Sequence, residues 1–117
     1  MNQLDIIDIK AFDTLKDAMG ADYIGELLQA YFEETPALLS QLQAALGKQD
    51  CEGFRRAAHS IKSTSNSFGA LEYGALAKEL EMMGREGNLA NAPDKVINLI
   101  TGFEIVQQTL KEMINAK

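Results

Sequence analysis

Apolar residues recur along this chain at intervals of three and four, the spacing that gathers side chains on one face of a helix. Ile9, Phe12, Leu15 and Met19 form a short stripe closed by Gly20, which predicts a helix over residues 8–18. A second stripe, Ile24, Leu27, Leu28, Tyr31, Phe32, Leu38, Leu39, Leu42 and Leu46, runs from about residue 22, with Asp22 near the cap, to Gly47. Its phase passes Pro36 without a slip, so one long helix kinked at the proline is predicted rather than two. After Asp50, a good N-cap residue, Phe54, Ala57, Ala58, Ile61, Ser65 and Phe68 define a narrow face rich in small residues that ends before Gly69. Residues 70–86 turn Tyr73, Leu76, Ala77, Leu80 and Met83 inward and stop at Gly87, suited to a left-handed cap. Residues 88–92 read as a turn. Pro93 fits the first turn of a last helix carrying Val96, Leu99, Ile100, Phe103, Val106, Leu110 and Met113, which Gly102 weakens without changing its phase.

Four substantial amphipathic helices with short connections hide their stripes by packing together. The expected fold is therefore all-α, an antiparallel four-helix bundle with a short additional N-terminal helix. The absence of Trp, with only 2 Pro, agrees with helix over strand. At 117 residues, and with no linker or repeat, the chain reads as one domain over 1–117.

Charge narrows the partners. Lys and Arg number 11 against 17 Asp and Glu, and the net charge of -6 disfavours nucleic acid and anionic membranes. No apolar run approaches the roughly 20 residues that a bilayer requires. The single Cys51 has no internal disulfide partner. The start MNQLDIIDIK, with Asp5 and Asp8, lacks the pattern of a secretory signal, so a cytoplasmic protein is expected.

His59 is the only histidine. With Phe54 set at zero and about 100° per residue, Ala58, Ile61, Ser65 and Phe68 fall within roughly 40° of zero, whereas His59 falls near about 140°. It sits off the core stripe, flanked by Arg55, Lys62 and Ser63, a local reversal of sign on an acidic chain. These cations are expected to disfavour a proton on the ring, leaving a neutral nitrogen as nucleophile, and to steady a phosphoryl group once attached. An imidazole at mid-helix without a visible cleft suits a reaction whose other half comes from a second protein. A surface histidine among ordinary helix charges is the plain alternative.

The segment Ala58-His59-Ser60-Ile61-Lys62-Ser63, then Phe68-Gly69-Ala70, Leu76, Leu80-Glu81 and Gly84-Arg85, resembles the signature of histidine phosphotransfer (HPt) domains. The resemblance implies that His59 accepts and donates a phosphoryl group through its outer ring nitrogen and that Lys62 steadies the phosphoryl charge. Ser63 stands where the family commonly has Gly, and Ile61 replaces the usual Leu. Arg85 falls where some members carry a basic residue, and it reads equally as a solvated charge or a favourable cation at a helix C-terminus. The implied partners are receiver domains of response regulators or hybrid sensor kinases. They would dock over the face around His59, where Ser63, Asn66 and Ser67 permit close approach to a monomeric carrier. Gly69 reads as a helix terminator and Phe68 as core.

Other chemistry finds less support. A kinase needs a glycine-rich phosphate loop, which the chain lacks, so a carrier without its own ATP site is expected. A di-metal carboxylate bundle needs Glu-x-x-His on two helices, and here Arg56 precedes the one histidine; no metal and no cofactor are expected. Cys51 has no evident activating histidine. A noncatalytic helical adaptor, binding signalling partners through Met82, Met83 and the apolar stripes, is the other reading.

Overall fold

A computed structural model describes residues 6–115, so both ends of the expected 1–117 unit, Asp5 included, lie outside the described residues. The described helices are α1 (Ile9–Met19), α2 (Ala21–Gly47), α3 (Cys51–Ser67), α4 (Leu71–Glu86) and α5 (Ala92–Asn115). α2 packs on α3, α3 on α4, α4 on α5 and α5 back on α2, which closes an antiparallel bundle; α1 lies across α2 and α3. α2 runs unbroken through Pro36, whose ring is exposed.

The boundaries follow from local chemistry. Asp8 caps α1 by accepting from the Ala11 N–H at 2.9 Å, and Asp50 caps α3 by accepting from the Gly53 N–H at 3.0 Å. α2 has Gly20 at its cap position, so Asp22 sits in the first turn instead of capping. Gly87 closes α4 in the left-handed region at φ 75°. Gly69, at φ 85°, ends the α3 segment and also receives the N-terminal segment. The Asp8 N–H donates to the Gly69 carbonyl at 2.7 Å, and a Cβ at position 69 would lie 2.6 Å from the Asp8 carbonyl oxygen.

Most of the expected stripes are buried, with revisions on each of α1, α2, α4 and α5, where Leu15 of α1 and Ile100 and Met113 of α5 are only half-buried. Ile9 and Met19 are exposed, because Ile6 and Ile7, just before the cap, join Phe12 in filling the seam under α1. On α2, Thr35 and Ala45 are buried while Leu27, Leu38 and Leu46 are only half-buried. On α4, Gly74, Glu81 and Gly84 are buried, and Leu76 and Met83 lie half-buried. Tyr31, Phe68, Phe103 and Tyr73 form the aromatic centre. Tyr31 lies 5.0 Å from Phe68 and 5.5 Å from Phe103 between ring centroids, the latter edge-on. Two phenol groups are satisfied across helices: Tyr31 Oη pairs with Ser65 Oγ at 2.7 Å, and the Tyr73 hydroxyl donates to the Leu99 carbonyl at 2.6 Å. Among the described residues no helix is long and apolar enough to cross a membrane.

Candidate functional site

α3 buries Phe54, Ala57, Ala58, Ile61 and Ser65, and this rotation leaves His59 off the core with its side chain 53% exposed. α4 runs antiparallel beside it at close range. Gly84 lies against Cys51 and Arg55, where a Cβ would sit 2.9 Å from both the Arg55 nitrogen and the Cys51 carbonyl oxygen; Gly74 lies against the Asn66 amide. Because α4 presents no bulk at these positions, the backbones approach, and the residue between the glycines, Glu81, reaches the imidazole.

Glu81 is the group that sequence patterning did not bring out. Its side chain is 3% exposed. One carboxylate oxygen, Oε2, lies 2.7 Å from His59 Nδ1, and the other, Oε1, lies 2.7 Å from Lys62 Nζ. Arg85 Nη2 stands 3.6 Å from Oε2. Burial pushes the Glu81 carboxyl up, but hydrogen bonds from Lys62 and His59, together with the positive charge beside it, outweigh burial and hold it below the usual carboxylate range. A carboxylate only accepts hydrogen bonds, so Nδ1 carries a ring hydrogen, and in the neutral ring this leaves Nε2 with its lone pair. The ring is thus oriented by an anion, a partner that the expected surroundings of cations and small polar groups did not include.

The other expected residues divide between site and scaffold. Lys62, 24% exposed, joins His59 through the shared carboxylate, and the more exposed Arg85 stands at the edge of the same cluster. Arg55 is engaged by Glu52 one turn back, so its guanidinium serves a pair within α3. Asn66 is exposed, with its amide beside Gly74. The Ser67 hydroxyl donates to the Ser63 carbonyl at 3.0 Å, a bond internal to α3. Ser63 is exposed and, with His59, Ser60 and Thr64, forms the α3 bank of an open groove of about 510 Å³. This groove revises the expectation of a site without a cleft; the opposite bank comes from α2, whose placement across the connection the sequence pattern does not resolve. Cys51 is a half-buried free thiol at the start of α3, and Met82 is exposed on α4.

The relationships of the chain agree with this geometry. Two relatives, each named phosphorelay protein LuxU, from Vibrio vulnificus strains YJ016 and CMCP6, are 25% identical over 105 residues, covering 90% of this chain and 91% of each relative. The crystal structure of histidine-containing phosphotransfer protein B (HptB) from Pseudomonas aeruginosa PAO1 matches with a TM-score of 0.88 at 29% identity, over 96% of both chains. The Hpt domain family model matches residues 26–116, which spans α3 and α4 with the whole His59–Glu81–Lys62 cluster, and the chain belongs to the Hpt domain family.

Proposed function

We propose that this chain is a histidine-containing phosphotransfer protein of a two-component phosphorelay, in which His59 accepts a phosphoryl group from a receiver-domain aspartate and passes it to another receiver. The observation that carries the reading is the half-exposed imidazole anchored at Nδ1 by the buried Glu81 carboxylate. The Nε2 lone pair attacks phosphorus in line, the P–O bond of the aspartyl phosphate breaks, and its electron pair leaves with the receiver's carboxylate. The proton on Nδ1 stays in place, so the ring becomes a phosphoimidazolium whose positive charge faces Glu81. The return step breaks the P–N bond and restores the neutral ring. Glu81 acts as a positioning residue throughout. It fixes the tautomer and offsets the ring charge that appears on transfer.

Lys62 has three donors, one of them held by Glu81, so it can bridge that carboxylate and an incoming phosphoryl oxygen. Arg85 is the second cation within reach of the same charge, and Ser63 leaves the approach to the ring open. In this reading residues 1–117 act as a single monomeric, cytoplasmic carrier without its own ATP site, and receiver domains supply and remove the phosphoryl group.

The test is chemical. After mixing with a phosphorylated receiver domain, the wild-type chain should carry acid-labile, alkali-stable phosphate on His59, and His59→Gln should carry none while its melting stays nearly unchanged. Retained labelling of His59→Gln would point to another acceptor. Binding without phosphate on the wild-type chain would favour a helical adaptor.

A further inference from the structure

The groove beside His59 has a second bank on α2, formed by Glu34, Ala37, Leu38 and Gln41. Their spacing is one helical stripe about 10 Å long, roughly two turns. The Thr64 hydroxyl on the α3 bank donates back to the Ser60 carbonyl at 3.0 Å, so it is already satisfied, and Ala37 and half-buried Leu38 give the groove apolar lining. Glu34 is the one charged side chain on the α2 bank. It is exposed, and no hydrogen bond or ion pair among the described residues engages its carboxylate, whereas its neighbour Glu33 accepts from Gln29 at 2.9 Å.

The face is therefore electrically divided. Lys62 and Arg85 gather at Glu81 on the α4 side of the imidazole, and an unpaired carboxylate stands at the α2 side. A partner that brings an aspartyl phosphate presents negative charge to the first side. Whatever lies along the groove meets Glu34 on the second. A channel of about two turns between two helices, with Ala37 and Leu38 on its α2 bank and polar groups along its α3 bank, fits the amphipathic face of a third helix. We infer that Glu34 is a specificity-determining residue: the groove receives an amphipathic helix of the receiver domain, and Glu34 selects receivers whose helix carries a Lys or Arg at the matching position. The inference rests on the phosphotransfer reading and adds to it the chemistry of the preferred partner. A charge pair at an exposed rim governs encounter and discrimination more than the chemical step, so it belongs to KM and to the salt dependence.

The experiment uses the full chain and a receiver domain that exchanges phosphoryl groups with it. Initial transfer rates to Glu34→Lys and Glu34→Gln are measured against receiver concentration at low salt and at about 0.5 M salt, where screening shortens the reach of exposed charges to a few ångströms. Glu34→Lys should raise KM about tenfold at low salt with kcat unchanged, Glu34→Gln should raise it less, and both differences should shrink at high salt. Reversing the exposed Lys and Arg residues of the receiver to Glu one at a time should reveal a position that impairs transfer to the wild-type chain and restores transfer to Glu34→Lys. An unchanged KM, a loss that ignores salt, or the lack of any restoring position would overturn the inference. Labelling by phosphoramidate, a small donor that needs no groove, separates the two levels. If phosphoramidate does not label His59 in the wild-type chain, the phosphotransfer reading fails. If it labels the wild-type chain but not Glu34→Lys, the charge acts on the imidazole and the selector role fails alone.

Discussion

Two seams of this bundle are built from opposite materials. Between α3 and α4, glycines bring the backbones together around a buried carboxylate shared by His59 and Lys62. Around Tyr31, Phe68, Phe103 and Tyr73, interlocked rings fill the space and the two phenol hydroxyls are each satisfied across helices. The aromatic seam removes large apolar area from water and contributes stability without chemistry. Its polar counterpart gains little net stability, because desolvating Glu81 offsets most of the attraction to its partners, but it holds one imidazole in one tautomer. Substitutions in the two seams should therefore separate stability from transfer.

The largest loss of stability is expected from Phe103→Ala. The ring is buried and lies edge-on to Tyr31, so its removal forfeits apolar transfer and leaves an incompletely filled cavity, about 3–5 kcal/mol in all. Chemical denaturation reads this directly, while phosphoramidate labelling per folded molecule should match wild type. A near-zero change would reject Phe103 as a central core residue.

Glu81→Gln should cost less stability, about 1–3 kcal/mol at neutral pH, and should slow transfer at least tenfold, an effect Phe103→Ala lacks. The pH dependence carries the signature. The folded Glu81 carboxyl is held below its ordinary value of 4.5, so its stabilisation is fully present above that value and is lost as pH falls through the lower folded value. The stability gap between wild type and Glu81→Gln should therefore close on acidification below about pH 4.5. Lys62→Ala should also destabilise, because it strips a buried carboxylate of its main cation, and it should do so far less in the Glu81→Gln background. Additive losses would show that the two residues do not act as a pair.

At the aromatic seam the titration runs from the other end of the scale. Burial pushes the Tyr31 hydroxyl up to about 12, with the Ser65 hydrogen bond partly opposing it, and burial raises Tyr73 as well. A phenol raised by folding stabilises fully below its unfolded value near 10, and the contribution disappears as pH rises through the folded value. Tyr73→Phe should cost about 1 kcal/mol at pH 7, since it leaves the Leu99 carbonyl without that donor, and should flatten the loss of stability above about pH 10. An unaltered alkaline limb would remove Tyr73 from this role.

The same contrast explains what was legible in the sequence. The ring seam is written in period: Tyr31, Phe68, Tyr73 and Phe103 all fall on apolar stripes, and Asp50, Gly69 and Gly87 mark segment ends by their cap chemistry. His59 was visible as a polar residue off a stripe. Glu81 stood only within the family signature and carried no role, because an acidic side chain in an amphipathic helix reads as solvated, and its burial depends on how closely α4 approaches α3. A signal was nevertheless present: Gly74, Ala77 and Gly84 share its face, so the one long side chain among small residues faces the neighbouring helix. Ile9 and Met19 misled for the converse reason. A short stripe fixes a face but not its partner, and Ile6 and Ile7 fill the seam first.

The smallest effect on stability is expected at the rim of the polar seam, with the sharpest division between donors. Ser63 is exposed on α3 one turn beyond His59 and borders the groove, so Ser63→Trp adds bulk to solvent and should shift stability by no more than about 0.5 kcal/mol. In-line transfer from a receiver requires two folded surfaces to bring Nε2 and the aspartyl phosphate together, whereas phosphoramidate needs room only for itself. Ser63→Trp should therefore block labelling of His59 by a phosphorylated receiver and leave labelling by phosphoramidate intact. Equal loss with both donors would mean that the indole disturbs the Glu81-anchored imidazole. Full activity with both would move the docking face away from Ser63 and from the α3 bank of the groove, so the paired assay locates the receiver as well as the reacting atom.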